Sequence, residues 1–220
     1  MTTTTYGNEL GWIGMMLVHE SCRRQGLATR LMQQSIQYLD ERVSCIRLDA
    51  TPAGRAVYRQ LGFEDEWNFQ RWLRPASHIA AVDVTADTGI TSEQQLDPAL
   101  DLEAFGVDRS AWLMQLAAVS RVVRSPSGFG MLRPGRLADY LGPVVARDEQ
   151  AGERLVRELV NSAPARAIIW DVPRVNQHAE PLARRLGFAP IRELTRMVYG
   201  HPSPAGNPEL QFAIAGLETG

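Results

Sequence analysis

Hydrophobic positions in the first part of the chain switch between short apolar runs and helical spacing. The run from Trp12 to Val18 is nearly continuous, which is typical of a buried strand. Between residues 25 and 42 the apolar side chains recur at helical spacing, which predicts an amphipathic helix. The pattern as a whole predicts strand, helix, strand, helix and strand at residues 12–18, 25–42, 45–50, 53–61 and 63–73.

The same order of elements recurs in the second half of the chain. Strand, helix, strand, helix and strand are predicted at residues 137–146, 148–161, 167–171, 175–186 and 188–199. Repeats of this kind indicate duplicated units. Three sites correspond between the halves: Gly14 with Gly142, Asp49 with Asp171, and Leu61-Gly62-Phe63 with Leu186-Gly187-Phe188.

The two halves differ in the loop between their first strand and their first helix. Six fewer residues separate Gly142 from Asp171 than separate Gly14 from Asp49. The missing residues fall where the first half carries the segment 23–28. The second half therefore keeps the order of strands and helices but lacks the loop that corresponds to residues 23–28.

Further elements are predicted upstream of the repeat only in the second half. Two helices and a hairpin are expected at residues 96–104, 108–118 and 121–133, and nothing comparable precedes Trp12. These elements predict an α/β (α+β) fold with two mixed-sheet domains. We expect a first domain at residues 1–74, a linker rich in Ala, Thr and Asp at 75–94, and a second domain at 95–220.

Composition narrows the class of protein. Hydrophobic residues make up 45% of the chain and charged residues 22%, which indicates a packed core. The formal net charge of -2 provides no basic field for nucleic acid. No apolar run is long enough to cross a bilayer, and Met1–Thr5 lacks the features of a secretory signal. We therefore expect a cytoplasmic protein without a membrane segment.

Cysteines and histidines give no sign of a disulfide framework or a metal site. The two cysteines, Cys22 and Cys45, are too few for a framework, which favours a reducing compartment. The four histidines are scattered without the spacing of metal ligands. We expect no bound metal.

The loop before the first helix has the chemistry of an anion site. A helix leaves its first backbone N–H groups unpaired, and its dipole places partial positive charge there. Gly26 would let the backbone approach a bulky phosphate, and Ala28 keeps the next turn narrow. Arg23 and Arg24 add positive charge at the rim. The alternative interpretation is an ordinary loop with two surface arginines.

Two motifs resemble those of the GNAT superfamily of acyl-CoA N-acyltransferases. The first runs from Val18 through Arg23-x-x-Gly26-x-Ala28 into the helix, and the second is the segment Tyr58–Phe63 after the next strand. The resemblance implies that acetyl-CoA is the cosubstrate. It further implies that Met16, Leu17 and Val18 line the pantetheine arm through main-chain hydrogen bonds. The pyrophosphate would be wrapped by Arg23, Arg24, Gln25, Gly26, Leu27 and Ala28.

Tyr58 is the catalytic residue that the resemblance implies. A tyrosine at this position often gives a proton to the leaving CoA thiolate in the superfamily. A phenol suits that role because its reference pKa of about 10 lies above that of a free thiol. The alternative is a tyrosine that packs on the strand with its hydroxyl at the surface. In the second half the equivalent position falls near Ala183, which carries no hydroxyl.

No general base can be assigned from the sequence. The strand that starts at Trp12 contains no carboxylate, and the nearby acids are Glu9, Glu20 and Asp49. Each of these also fits a structural or solvated role. Catalysis could then depend mainly on holding the amine and the thioester together.

The whole chain resembles tandem bacterial GNAT proteins that end in a YitH-type acetyltransferase-like domain. The segments that carry this resemblance are 48–54, 106–110, 140–143 and 171–173. It implies a first domain without its N-terminal strands and helices, and a second domain that is complete but lacks the pyrophosphate loop. An uncovered sheet edge invites pairing with another chain, so a homodimer is expected.

These observations lead to one functional hypothesis and one alternative. The hypothesis is an acetyl-CoA-dependent N-acetyltransferase that acts on a primary amine, of a small molecule or a peptide, by direct transfer in a ternary complex. The alternative is a non-catalytic GNAT-fold protein that binds CoA or serves as an interaction module. A nucleotide-binding protein is disfavoured because the loop has neither the P-loop ending nor the three-glycine dinucleotide pattern.

Overall fold

The computed structural model describes residues 1–76, 96–163, 165–200 and 206–220. Most of the expected linker at 75–94 lies outside these ranges. Six α-helices are found in the described part of the chain: α1 Leu27–Asp40, α2 Pro52–Gln60, α3 Pro98–Phe105, α4 Ser110–Ala118, α5 Glu149–Asn161 and α6 Ala179–Arg185. The strands there are β1 Thr2–Tyr6, β2 Leu10–Gly14, β3 Cys45–Ala50, β4 Glu64–Arg74, β5 Arg121–Ser125, β6 Gly128–Arg133, β7 Asp139–Ala146, β8 Ile168–Pro173, β9 Ala189–Gly200 and β10 Gln211–Ala213.

Contacts divide the chain into two compact units. Unit 1 consists of Met1–Asn68, Leu194–Ala205 and Gly216–Gly220, and unit 2 of Phe69–Glu193 and Gly206–Ala215. Each unit thus combines segments from both halves of the sequence. The domain boundaries expected at residues 74 and 95 follow the sequence repeat, whereas unit 1 and unit 2 are defined by contacts. The expected boundaries therefore stay a prediction.

In unit 1 the sheet has β1 antiparallel to β2, β2 parallel to β3, and β3 antiparallel to the end of β9. Helix α1 makes the crossover between the two parallel strands, and α2 follows β3, as parallel pairing requires. The buried stripe of α1 packs on the sheet because its apolar positions recur on one face. The core beneath the helices consists of Ile13, Met32, Leu39, Ile46, Leu48, Ala50, Phe63 and Met197.

Unit 2 has a larger sheet. Its β4 residues from Phe69 onward pair antiparallel with β8, β8 pairs parallel with β7, and β6 and β5 follow antiparallel. The short strand β10 pairs with the far part of β7. Helix α5 crosses between β7 and β8 and buries its apolar face, while α3 and α4 pack with β5, β6 and β7 around a second apolar cluster.

The sheet of each unit contains a strand from the other half of the sequence: the end of β9 in unit 1, and β4 from Phe69 onward in unit 2. A buried ion pair holds each of these strands to its neighbour. In unit 1, Arg196 of β9 binds the carboxylate of Asp49 with two hydrogen bonds of 2.9 and 3.0 Å. In unit 2, Arg71 of β4 binds Asp171 in the same way, at 2.8 and 2.7 Å. Both carboxylates are fully buried. An unpaired buried charge costs several kcal/mol, so a register slip in either strand is strongly disfavoured.

The structure confirms the mixed α/β class and corrects two details of the first half. Thr2–Tyr6 forms β1, a strand before Trp12 that the sequence pattern did not predict, whereas no helix precedes Trp12 in the described residues. The strand expected at 12–18 runs instead from Leu10 to Gly14. It stops there because Met15 has a positive φ of 53°, which turns the chain away from the sheet.

The second half follows the expected order with one shortened helix. The helix expected at 175–186 begins only at Ala179. Before it, the Asn176 side-chain oxygen accepts the amides of His178 and Ala179, at 3.0 and 3.2 Å, and holds a turn instead. Among the described residues no helix is both long and apolar enough to cross a membrane.

Candidate active site

The parallel strands β2 and β3 stop pairing near the end of β2. Their pairing ends at Ile13 and Leu48, while β3 continues to Ala50 along β9. Residues 15–19 then run without regular structure. Within the described chain, the amides of Met16, Leu17 and Val18 donate to no protein acceptor. Beyond Ile13 and Leu48 the two parallel strands are no longer hydrogen-bonded to each other, and we call the space between them, bordered by the free donors of residues 16–18, the cleft.

The N-terminus of α1 is the second part of the site. Gly26 precedes the helix with a φ of 73°, a conformation that favours glycine, and no side chain caps the helix. The first helical amide with a protein acceptor is that of Arg30, which donates to Gly26 O at 3.0 Å. Over the described residues, the amides from Gln25 to Thr29 have no acceptor. A helix of 14 residues therefore presents a row of free donors with its positive dipole end.

The arginines of the loop differ in their contacts. Arg23 donates from Nε to Val18 O at 3.3 Å, which ties the end of the cleft to the loop. Arg24 has a positive φ of 61°, which costs energy in a residue with a Cβ. Its exposed guanidinium has no partner among the described residues. The loop thus holds one arginine in place and leaves one cation for an anionic ligand.

Tyr58 lies in α2, partly buried against the same core as Met16. Its ring centroid is 6.2 Å from that of Phe63. A β-carbon on Gly54 would stand 3.0 Å from the Tyr58 ring, so the glycine leaves the space that the ring fills. Its hydroxyl makes no hydrogen bond within the described chain. Burial raises the pKa of Tyr58, so the phenol is protonated at neutral pH and available as a proton donor.

Two arginines fix α2 on the start of β4. Arg55 and Arg59 flank Tyr58 along the helix, and both bind the carboxylate of Asp65. The hydrogen bond from Arg55 is the main cause that lowers the pKa of Asp65 to about 2. The carboxylate therefore stays charged at neutral pH and holds the turn of helix that carries Tyr58.

None of the three acids considered from the sequence is placed as a free base in the cleft. The carboxylate of Asp49 is fully buried and bound by Arg196, which is a structural role. Glu20 is exposed in the loop, 3.7 Å from Arg23. Glu9 is exposed in the turn before β2.

A turn formed by residues 217–219 packs on β2 and was not predicted from the sequence. The indole of Trp12 donates to Leu217 O at 3.1 Å, and the Tyr6 hydroxyl donates to Thr219 O at 2.8 Å. A β-carbon on Gly14 would stand only 2.8 Å from the Cα of Glu218. The backbone of Glu218 therefore lies against Gly14, the last residue of β2. The contact joins residues about two hundred positions apart, and no local pattern marks it.

Unit 2 has the equivalent cleft, but the chain itself fills it. Pairing of β7 with β8 ends at Leu141 and Trp170, the positions equivalent to Ile13 and Leu48. Beyond that point β10 pairs with β7, and the Ile214 amide donates to Asp171 O on β8 at 3.3 Å. In the described part of unit 2 a protein strand thus lies where unit 1 has free donors.

The helix start in unit 2 is also closed to anions. Asp148 caps α5 by accepting the Ala151 amide at 2.8 Å, and Glu149 adds a second carboxylate in the first turn. A cavity of about 300 Å³ beside this helix start is lined by Asp148, Glu149 and Glu209, among others. Arg147 and His178 also line it, but Arg147 pairs with Glu103 at 2.7 Å and His178 with Glu149 at 3.3 Å, so neither basic side chain is left unpaired for a phosphate. The anion-binding geometry is therefore found in unit 1.

Comparison with known proteins identifies the family. The family model for the acetyltransferase (GNAT) domain matches residues 98–213, more than half of the chain, and that of the acetyltransferase (GNAT) family matches residues 2–63. The chain belongs to the GNAT acetyltransferases, a family of enzymes that transfer acetyl groups and generally use acetyl-CoA. The resemblance noted in the sequence is thereby confirmed.

Individual relatives agree with this assignment. The chain is 26% identical to the uncharacterised N-acetyltransferase YitH of Bacillus subtilis, in an alignment covering 92% of this chain and 74% of YitH. A candidate acetyltransferase from Pyrococcus horikoshii has a TM-score of 0.84 at 24% identity, covering 99% of this chain and 74% of that one. A tandem GNAT protein from the clavulanic acid biosynthesis pathway has a TM-score of 0.58 at 14% identity, over 90% and 77% of the two chains. Such likenesses establish the fold.

Among the described residues, no group of three or more His, Cys, Asp or Glu side chains is arranged to hold a metal ion.

Proposed function

We propose that the chain is an acetyl-CoA-dependent N-acetyltransferase that transfers the acetyl group directly to a primary amine in a ternary complex. The observation that carries the proposal is the row of unpaired amides from Gln25 to Thr29 at the start of α1. Backbone donors at a helix N-terminus bind diphosphate well, and the dipole adds to the attraction. Arg24 supplies a mobile positive charge beside them.

The segment after β2, where β2 and β3 no longer pair, is suited to bind the pantetheine arm of acetyl-CoA. The pantetheine arm of acetyl-CoA carries two amide groups, which can pair with the main chain of Met16, Leu17 and Val18 as a strand would. Leu17 is 72% exposed and offers apolar contact. The arm would thereby continue the sheet between β2 and β3, on the side where β3 lacks a partner beyond Leu48.

The chemistry is attack by the amine nitrogen on the thioester carbonyl carbon. A C–N bond forms, the C–S bond breaks, and the thiolate of CoA leaves. The protonated phenol of Tyr58 is the donor that we assign to this thiolate, because burial keeps the phenol neutral. Holding both substrates in one cleft supplies the remaining large contribution to the rate.

The contrast between the two units supports a tandem arrangement with one working copy. In unit 2 the cleft holds β10 and the helix start is capped by Asp148. We therefore assign the binding of acetyl-CoA to unit 1 alone. The acceptor is a small molecule or a peptide with a primary amine, and a cytoplasmic location and a homodimer remain expectations from the sequence.

An isothermal titration with acetyl-CoA tests the proposal. We expect saturable binding with one molecule per chain, because the start of α1 in unit 1 has no side-chain cap, whereas Asp148 caps the equivalent helix α5 in unit 2. Acetylpantetheine, which lacks the diphosphate, is the matched control ligand and should bind at least about tenfold more weakly. Two molecules per chain would contradict the assignment to unit 1, and a flat titration would contradict the proposal.

A non-catalytic CoA-binding protein is the second candidate. It is favoured by the fact that Asp49 is bound by Arg196, which removes one candidate base. Release of free thiol from acetyl-CoA in the presence of primary amines separates the two functions. A binder without this activity supports the second candidate.

A further inference from the structure

The turn formed by residues 217–219 meets β2 where the cleft opens. Leu217 and Thr219 are fixed by hydrogen bonds from Trp12 and Tyr6, at 3.1 and 2.8 Å. Between these two anchors stands Glu218, which is half-buried. The anchors on either side hold the backbone of Glu218 against the strand.

Gly14 allows this close approach. A β-carbon at position 14 would lie 2.5 Å from the carbonyl oxygen of Glu218 and 2.8 Å from its Cα. Any larger residue would therefore push the turn off the strand. Gly14 is also the last residue of β2, directly before Met15 turns the chain out of the sheet.

The proposed path of acetyl-CoA brings its thioester to this point. With the diphosphate at residues 25–29 and the pantetheine arm along Val18 to Met16, the far end of the arm lies beyond Met16. That end carries the thioester, and the chain beyond Met16 leads to Met15 and Gly14. Glu218 is thus the acid whose backbone the structure brings next to the reacting end.

A base is needed there because a primary alkylamine is protonated at neutral pH, and an ammonium nitrogen has no lone pair for attack. The acids considered from the sequence do not meet this need. Asp49 is buried and bound to Arg196, Glu20 is exposed in the loop beside Arg23, and Glu9 is exposed before the opposite end of β2.

We propose that Glu218 is the general base of the reaction, an inference that rests on the proposed function. The carboxylate takes one proton from the acceptor ammonium, and the freed amine attacks the thioester carbonyl carbon. Tyr58 gives a proton to the departing thiolate, so the products are the acetylated amine and CoA with its thiol. The attacking nitrogen loses its second proton as the C–S bond breaks, and this proton restores the Tyr58 phenol through solvent. Glu218 releases its own proton to solvent after the products leave, so one proton is released per turnover.

The test uses two probe acceptors that differ in their need for a base. Butylamine is an ammonium ion at neutral pH, whereas O-methylhydroxylamine is already neutral. For Glu218→Gln we expect thiol release with butylamine to fall at least about 30-fold, while the rate with O-methylhydroxylamine stays within about threefold. Glu64→Gln, on an exposed acid at the start of β4, is the matched control and should leave both rates unchanged. Glu218→Asp, which keeps a carboxylate, should retain part of the butylamine rate.

Acetyl-CoA binding and thermal unfolding of each variant are measured in parallel. Equal rates for the parent and Glu218→Gln with butylamine would overturn the inference. So would equal losses with both acceptors, since a merely structural turn affects both alike. If the parent binds acetyl-CoA but acetylates neither probe, the proposed activity fails together with the base. If it does not bind, the failure lies in the binding site itself.

Discussion

Replacing Gly26 with aspartate is expected to remove most of the affinity for acetyl-CoA with little effect on the stability of the fold. The new carboxylate would stand at the start of α1, where the diphosphate is proposed to bind. Two like charges about 6 Å apart repel by about 3 kcal/mol at an effective dielectric constant of about 20. The dissociation constant should therefore rise about 30- to 100-fold.

Stability should change little. A β-carbon at the positive φ of Gly26 costs energy, but aspartate tolerates this conformation better than most residues, and a carboxylate near a helix N-terminus contributes about 0.3–1 kcal/mol in return. The free energy of unfolding, measured with urea, should therefore fall by no more than about 1 kcal/mol. A loss of binding could then not be attributed to partial unfolding.

Gly26→Asn is the matched control, because asparagine has the same shape without the charge and also tolerates a positive φ. Its dissociation constant should rise by less than about fivefold, since single surface changes are small. Both variants are compared with the parent protein by calorimetry. Identical affinities for the aspartate and asparagine variants would contradict a diphosphate at this helix start.

Tyr58→Phe is expected to lower turnover strongly while acetyl-CoA binds as before. The phenol is partly buried and has no protein partner within the described chain, and because burial raises its pKa it still carries its proton when the thiolate forms. A general acid contributes about 10²- to 10⁴-fold to a rate. We expect kcat to fall about 100-fold, with the dissociation constant of acetyl-CoA unchanged.

The control is Tyr38→Phe, which removes the same atom from a half-exposed tyrosine on α1. That variant should keep the parent kcat. Steady-state thiol release with butylamine gives kcat, and calorimetry gives the affinity. An unchanged kcat for Tyr58→Phe would leave Tyr58 as a packing residue, which is the alternative that the sequence left open.

Most elements of the fold could be predicted because they rest on local patterns. Strand β3 matches its expected range from Cys45 to Ala50, and α1 lies within the expected 25–42. Thr2–Tyr6 could not be recognised, because four threonines carry no apolar alternation. Threonine favours strands locally, but pairing with β2 is what fixes this segment as a strand.

The strand predicted at residues 12–18 was also wrong in its bounds, because the apolar run extends past the end of β2 at Gly14. A continuous apolar run predicts burial, yet Met15 and Leu17 are 51% and 72% exposed. These side chains border the cleft instead of filling the core. The deviation thus falls at the candidate site, where a functional requirement overrides the local pattern.

Contacts between segments far apart in the chain could not be predicted from the sequence. The repeat aligns Arg71 with Arg196 and Asp49 with Asp171, but nothing local indicates that Arg196 pairs with Asp49 and Arg71 with Asp171. The position of Glu218 beside Gly14 is of the same kind. For this reason the candidate base emerged only from the structure.

A crystal structure of the chain with acetyl-CoA is the most direct test of the account. If acetyl-CoA binds as proposed, its diphosphate oxygens will lie about 2.7–3.2 Å from at least three of the amides between Gln25 and Thr29. The pantetheine arm will pair with the main chain of Met16 to Val18. A diphosphate bound elsewhere, or a protein group occupying those amides in the complex, would contradict it.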